Sequence, residues 1–385
     1  MMSNIPLALY FHIPWCIQKC PYCDFNSHAV KGKLDEVGYV SALLADLDYE
    51  LTQLPTREVE SIFIGGGTPS LFSANGIRRL LDGVQDRLSL VADAEITLEA
   101  NPGTLETGRY AGYREAGVNR LSLGVQSFDA EALLRLGRIH GPEEAVAAVK
   151  SARSAGFDNF NIDLMFGLPE QTVEQAQIDL ERVIGLAPTH ISYYQLTLEP
   201  NTLFYRDPPI LPEDELLWNI QVAGQALLQD AGYHQYEVSA YAQTNRRCRH
   251  NLNYWHFGDY LGIGAGAHGK VTHPGNGRVE RRWRLRSPAD FIVHAGGAAA
   301  IAGSRELTRG DLILEFLMNA LRLTEGFNSE LFSERTGLGC ELLLSQMERP
   351  VQRGLVVVEG GRITPTALGA QFLDDLLSQF CDDDG

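Results

Sequence analysis

Cys16, Cys20 and Cys23 stand within the stretch "FHIPWCIQKCPYCDFNSH", spaced Cys-x3-Cys-x2-Cys. Clustered thiolates bind metal or exchange electrons. A structural zinc site takes four ligands, commonly from paired Cys-x-x-Cys units. No second pair stands at a suitable distance, so His12 or His28 would have to complete it. A redox dithiol at Cys20 and Cys23 leaves Cys16 unexplained. Three thiolates in one loop suit a cubane iron–sulfur cluster better. One iron then lacks a protein ligand and can take a small molecule through an amine and a carboxylate. Cys248, Cys340 and Cys381 are scattered, and plain thiols are expected there.

Other residues with chemistry fall just after short apolar runs. Gly66, Gly67 and Thr68 lie in "GGGTP", where glycine lets backbone approach a ligand closely. Glu99 opens "EANPG", Gln126 opens "QSFD", Arg138 lies in "LGRIH" and Asp163 opens "DLMFGLP". The bland alternatives are helix caps for Glu99 and Asp163 and a surface ion pair for Arg138. Asp163 sits between Ile162 and Leu164, and a buried carboxylate needs partners. Tyr10 precedes the first cysteine by six residues; its ordinary reading is a strand residue.

The elements that must position these residues alternate. Apolar runs at Leu7–Ile13, 61–64, 95–99, 120–125, 160–165 and 191–198 are separated by stretches of helical spacing. Strand–helix alternation of this kind predicts a parallel sheet with crossover helices. In a parallel barrel the strand C-terminal ends form one face that carries the site. We expect an α/β fold: an incomplete TIM-like barrel of six βα units, with a flavodoxin-like open sheet as the runner-up. A seventh β-like stretch covers 235–241. After about residue 300 the pattern changes to helices at 312–323, 328–336 and 340–353, a hairpin turning at Gly360–Gly361, and a last helix to Phe380. This predicts a domain over 1–300 and a small winged-helix-like domain over 301–385 that packs against or covers the barrel mouth.

The chain has 385 residues and a formal net charge of −17. Such an acidic excess repels phosphate backbones and anionic lipid, so nucleic acid and membrane surfaces are not expected partners. Arg246, Arg247 and Arg249, and the five arginines between Arg278 and Arg286, are local exceptions, expected to form ion pairs unless they flank an acidic ligand. No apolar run reaches the roughly 20 residues of a membrane span, and no secretory signal is apparent. A cytosolic protein is expected, as monomer or dimer.

"CIQKCPYC", with Tyr22 before the last cysteine, resembles the radical S-adenosylmethionine (SAM) signature. "LYFHIPWC", "IFIGGGTPSLF", "EANPGT", "GVNRLSLGVQSFD", "LGRIH", "NIDLMFGLPEQT" and "GIGAGAHG" together resemble the oxygen-independent coproporphyrinogen III oxidase group over nearly the whole chain. The resemblance implies a 4Fe–4S cluster on Cys16, Cys20 and Cys23 with SAM on the open iron. It implies SAM contacts from Tyr10, Gly66, Gly67, Thr68, Glu99, Gln126, Arg138 and Asp163. The porphyrinogen oxidases of the group carry a further cysteine two positions after the third, where this chain has Phe25, and a longer segment before the motif. Both departures are similar to the HemW-type haem-chaperone branch, as is the His-Asn-x-x-Tyr-Trp pattern from His250 to Trp255. That branch implies binding of haem and its transfer to acceptor proteins, respiratory ones among them. His250 is then the haem-contacting candidate, since imidazole is a common axial ligand, and Tyr254 and Trp255 can stack on a flat macrocycle. The alternative for His250 is a packed loop. Cys248, His256 and His268 are further candidates, the last expected in a tight glycine turn. Coproporphyrinogen III oxidation is the alternative function, and another radical SAM reaction on a tetrapyrrole, such as haem ring opening, is a third.

Overall fold

The computed structural model describes all residues except 1–4, 56, 104–107, 274 and 381–385, so Cys381 lies outside the described residues. The six expected strands form: β1 (Leu7–Ile13), β2 (Val59–Gly66), β3 (Leu90–Ala100), β4 (Arg120–Gln126), β5 (Phe160–Phe166) and β6 (His190–Gln195). They are neighbours in chain order and all parallel. A doubly wound sheet would reverse its order after the first strands; consecutive order is that of a barrel, so the expected barrel holds and the open-sheet alternative does not. Their apolar side chains are buried almost without interruption, as strands covered on both faces require. Crossover helices start on side-chain caps. Ser73 accepts from Gly76 N, Asp129 from Ala132 N and Thr172 from Gln175 N. Each cap satisfies an amide that the helix itself leaves unpaired.

The barrel stays open because β6 does not return to β1. The stretch expected as a seventh strand is instead a hairpin, β7 (His234–Glu237) and β8 (Ala240–Ala242), antiparallel to β6. The other side of β1 takes β9 (Asp259–Ile263) in parallel. Three antiparallel strands continue from it: β10 (His268–His273), β11 (Arg278–Arg284) and β12 (Ile301–Glu306). The large sheet therefore has twelve strands among the described residues. His268, expected in a glycine turn, opens β10, and the turn is the preceding Gly264–Ala267, closed by the Ala267 amide on Gly264 O at 3.0 Å.

A second core gathers Phe316, Phe327, Phe332, Leu343, Met347, Leu355 and Ile363, and Phe257 and Val279 of the large body pack into it. Three helices (Arg309–Ala320, Ser329–Thr336, Cys340–Gln352) precede the hairpin of Val356–Glu359 and Arg362–Pro365, as expected of a winged helix. The last helix is broken at Phe372 into Ala367–Gln371 and Leu373–Ser378. Most of the arginine-rich segments are neutralised as expected: Arg247 by Glu325, Arg249 by Asp93, Arg281 by Glu315, Arg282 by Glu280 and Glu50, and Arg284 by Asp46 and Glu50.

Candidate functional site

The loop between β1 and the helix Glu36–Leu51 carries the three cysteines and is built from its own polar contacts. His12 Nε2 meets Asn26 O at 2.9 Å. Asn26 Nδ2 donates to Ala265 O and Arg286 O, both at 2.9 Å. Lys19 Nζ reaches Phe25 O at 3.2 Å, and Val30 N donates to Cys16 O at 2.9 Å. These bonds tie the loop to β1 and to the turns on either side of β10 and β11. Cys16, Cys20 and Cys23 thereby line one cavity of about 820 Å³ at the C-terminal ends of the parallel strands. Burial pushes the Cys16 and Cys23 thiols above their ordinary range. Neither His12, bonded to Tyr10 and Asn26, nor His28 lines that cavity. Three soft sulfur donors on one wall and no imidazole form a donor set that fits an iron–sulfur cluster with one open iron.

The same cavity gathers Gly66, Gly67, Thr68, Glu99, Gln126, Arg138 and Asp163 from five separate stretches. Gly66 has φ +121°, and a Cβ there would stand 2.7 Å from the His12 ring. A Cβ on Gly67 would meet Trp15 O at 2.6 Å, so only glycine lets this turn pass under the cysteine loop. Glu99 Oε2 accepts from Gly66 N at 3.0 Å. Desolvation, and then the charge of Asp163, push the Glu99 carboxyl up to about 8. Asp163 accepts from Asn161 Nδ2 at 2.7 Å and Ser122 Oγ at 3.4 Å, and burial raises its pKa as well. Two carboxyl groups facing one cavity, with no basic side chain paired to either at ion-pair distance among the described residues, suit a cationic ligand.

Arg138 supplies the opposite charge. It donates through Nη2 to Asn101 Oδ1 at 2.7 Å and Gly124 O at 2.6 Å, and Nη1 lies 3.7 Å from Cys20 Sγ. It is thus fixed beside the cysteines, and the expected alternative of a surface ion pair does not occur. Gln126 takes φ +73° at a bulge in β4, and its Oε1 accepts from Tyr194 OH at 2.6 Å. Strained backbone of this kind clusters at functional sites. Asn101, Asn161 and Tyr194 position the expected residues and escaped the sequence reading; Asn101 had a signal, its place in "EANPG".

Tyr10 lines the neighbouring cavity instead. That second cavity, about 690 Å³, shares Asp24, Phe25, Gly66, Glu99 and Trp255 with the first. Tyr254 and Trp255 line it as well, but the structure does not bring His250 to either cavity. His250 is 1% exposed, with Nδ1 on Ser61 Oγ at 3.0 Å and Nε2 on Tyr254 OH at 2.8 Å. Burial, then the charge of Arg120, lowers its pKa to about 3, so it is neutral and fully bonded. Cys248 is buried against Glu95, and burial pushes its thiol up to about 12; His256 lines a separate cavity with Arg247 and Glu325.

The parallel barrel and its three-cysteine cavity define a radical SAM protein. The Radical SAM superfamily model matches residues 10–183 and the HemN C-terminal domain model matches 307–372. The solved structure of Escherichia coli coproporphyrinogen III oxidase (HemN) superposes with a TM-score of 0.81 at 25% identity, over 98% of this chain and 90% of that one. Heme chaperone HemW of Escherichia coli is 52% identical over 99% of both chains. Its Bacillus subtilis namesake is 33% identical over 91% of this chain and 92% of its own. A mouse protein, radical S-adenosyl methionine domain-containing protein 1, mitochondrial, is 39% identical over 73% of this chain and 64% of its own. The chain belongs to the HemW family.

Proposed function

We propose that this protein is a cytosolic haem chaperone that binds haem, carries a SAM-ligated 4Fe–4S cluster and passes haem to acceptor proteins, respiratory haem proteins among them. Cys16, Cys20 and Cys23 hold the cluster. Glu99 and Asp163 face the positive end of SAM, Arg138 its carboxylate, and Gly66, Gly67, Thr68 and Gln126 shape the wall, with Tyr10 behind it. Cluster and SAM together supply one-electron chemistry when bound. Of the two domains expected over 1–300 and 301–385, the first carries the sites and the second covers their rim, to which Asn319 and Arg322 contribute; the strand Ile301–Glu306 goes with the first, because it pairs with β11.

Phe25 carries the reading. Where the porphyrinogen oxidases of the group have a further thiol, this chain has an aromatic ring, 58% exposed, on the boundary of the two cavities. A phenyl ring cannot ligate iron, but it can pack on a flat macrocycle. Anaerobically reconstituted protein is expected to take up hemin at one equivalent per chain and to form no protoporphyrinogen from coproporphyrinogen III with SAM and reductant. Protoporphyrinogen formation makes it an oxidase; absence of hemin uptake removes the chaperone reading.

SAM binding is expected to depend on pH through Glu99. Burial pushes its carboxyl up to about 8, so below that value pairing with the positive charge of SAM must first expel the carboxyl proton. Affinity then falls by about tenfold per pH unit below that value. Glu99→Gln should abolish this dependence and weaken SAM by roughly 10- to 100-fold, the worth of a charge-assisted hydrogen bond. Calorimetric titration between pH 6 and 9 checks it; a Glu99→Gln variant with an unchanged pH profile contradicts it.

A further inference from the structure

The second cavity holds a histidine that the fold leaves available. His268 opens β10, is exposed and faces the cavity, and no hydrogen bond to its ring occurs among the described residues. This is the reverse of His250, whose two nitrogens are both bonded in the core. The imidazole of His268 is nevertheless held in orientation. Trp283, its cross-strand partner on β11, stacks on it with centroids 6.2 Å apart and planes 20° apart. Cross-strand partners on one face lie within contact distance. Trp283 is itself backed by Gly303 on β12, where a Cβ would stand 2.3 Å from the indole.

The charges around His268 are also selective. Of the five arginines between Arg278 and Arg286, four are in ion pairs with Glu50, Asp46, Glu280, Glu306 or Glu315. Arg286 is exposed on the same cavity wall and makes no ion pair among the described residues. Partial burial, then the charges of Arg281 and Arg286, lowers the pKa of His268, which favours the neutral ring. Phe25, Tyr254 and Trp255 supply the aromatic surface elsewhere on the wall. Trp255 is covered by the guanidinium of Arg322 at 4.3 Å, and its Nε1 is buried without a partner.

An unbonded imidazole beside an indole, an unpaired guanidinium near it and aromatic rings lining the cavity, Phe25 exposed among them, match a flat, apolar, anionic metal complex. We infer that this cavity seats the haem, with His268 as the iron ligand, Arg286 meeting a propionate carboxylate and Phe25 against the ring, one wall away from the cluster. His250 is a positioning residue in this arrangement: its Nε2 bond holds the Tyr254 phenol at the cavity edge. The inference rests on the haem-chaperone reading and adds the place and the ligand.

The test is a titration of the full chain with hemin and, separately, with iron-free protoporphyrin IX, followed by Soret absorbance. His268→Ala is expected to change the hemin Soret band. It should also weaken hemin by at least the roughly 10- to 100-fold that loss of even an outer partner of a metal ligand costs. Its affinity for protoporphyrin IX should be unchanged. Arg286→Gln should weaken both ligands, because propionates are common to them. His268→Gly should regain the wild-type Soret band on adding imidazole, a rescue that a misfolded variant cannot show. Wild-type protein that binds hemin while His268→Ala matches it in band and affinity overturns this inference and leaves the chaperone reading standing. Wild-type protein that binds no hemin removes the reading itself.

Discussion

Replacing Cys16, Cys20 and Cys23 together by alanine is expected to abolish the cluster while leaving the fold intact. Iron and sulfide content should fall to background, and the visible charge-transfer absorption should vanish. The reason for the separation is in the loop. Its shape is set by bonds that use no thiol: Asn26 to Ala265 O and Arg286 O, His12 to Asn26 O, and Lys19 to Phe25 O. The three sulfurs add weak contacts, among them Cys23 Sγ to Ser27 Oγ at 3.9 Å and Arg138 to Cys20 at 3.7 Å. Thermal unfolding of the metal-free variant should therefore stay within about 0.5 kcal/mol of metal-free wild type, as for substitutions outside a packed core. Iron retained by the triple variant would show that other residues hold the metal.

The second large effect concerns stability. Asp259, at the start of β9, is 0% exposed and accepts four hydrogen bonds. Two come from Arg57 Nη1 and Lys270 Nζ at 2.9 Å, and two from Thr272, through N at 3.0 Å and Oγ1 at 2.8 Å. Lys270 is 1% exposed, and apart from Asp259 its ammonium has, among the described residues, only the Phe257 ring, 4.3 Å away. Asp259→Ala strands that charge in the core, and breaking a buried pair in this way costs about 3–5 kcal/mol. Adding Lys270→Met should recover part of the loss, because the fully buried ammonium is then removed and only the partly exposed Arg57 lacks its carboxylate. Burial works against ionisation of Asp259, but Lys270 and Arg57 outweigh it and hold its carboxyl below the ordinary range. The ion pair therefore contributes fully above the unfolded carboxyl pKa of about 3.9 and is lost as pH falls through the lower folded value. Denaturant titrations at pH 7 and pH 3 check both points. Lys270 also lines the haem-sized cavity, so the single variant should lose hemin uptake along with stability. A single variant within 1 kcal/mol of wild type would contradict this account.

Much of this was legible in the chain because it is local. A 3.6 or continuous apolar pattern is dictated by which face of a segment must be dry, so the six parallel strands and their helices followed from residue order alone. The cysteine spacing, the glycines of "GGGTP" and the polar residues after each run are likewise local, and one rule brings them together: parallel strands present their C-terminal ends on one face. That places Glu99, Gln126 and Asp163 on one rim before any coordinates, and the family resemblance of their motifs and of "LGRIH" adds Arg138 and the ligand. What residue order does not carry is pairing between segments far apart. Whether a run after the sixth strand closes the barrel depends on which edge binds it, and here β9, from 259 to 263, takes the free side of β1 while the 234–242 hairpin takes that of β6. The wall of the second cavity is made by that choice. His268 and Trp283 meet only because β10 pairs with β11, and Arg286 stands apart only because four neighbouring arginines find carboxylates on other elements. The fate of His250 was decided in the same way. Its motif marks it, but Ser61 on β2 and Tyr254 take both its nitrogens once the helix Arg249–Trp255 packs under the sheet. Of the two imidazoles on the cavity wall, His12 is bonded to Tyr10 and Asn26, and tertiary packing leaves His268 with its ring unbonded among the described residues.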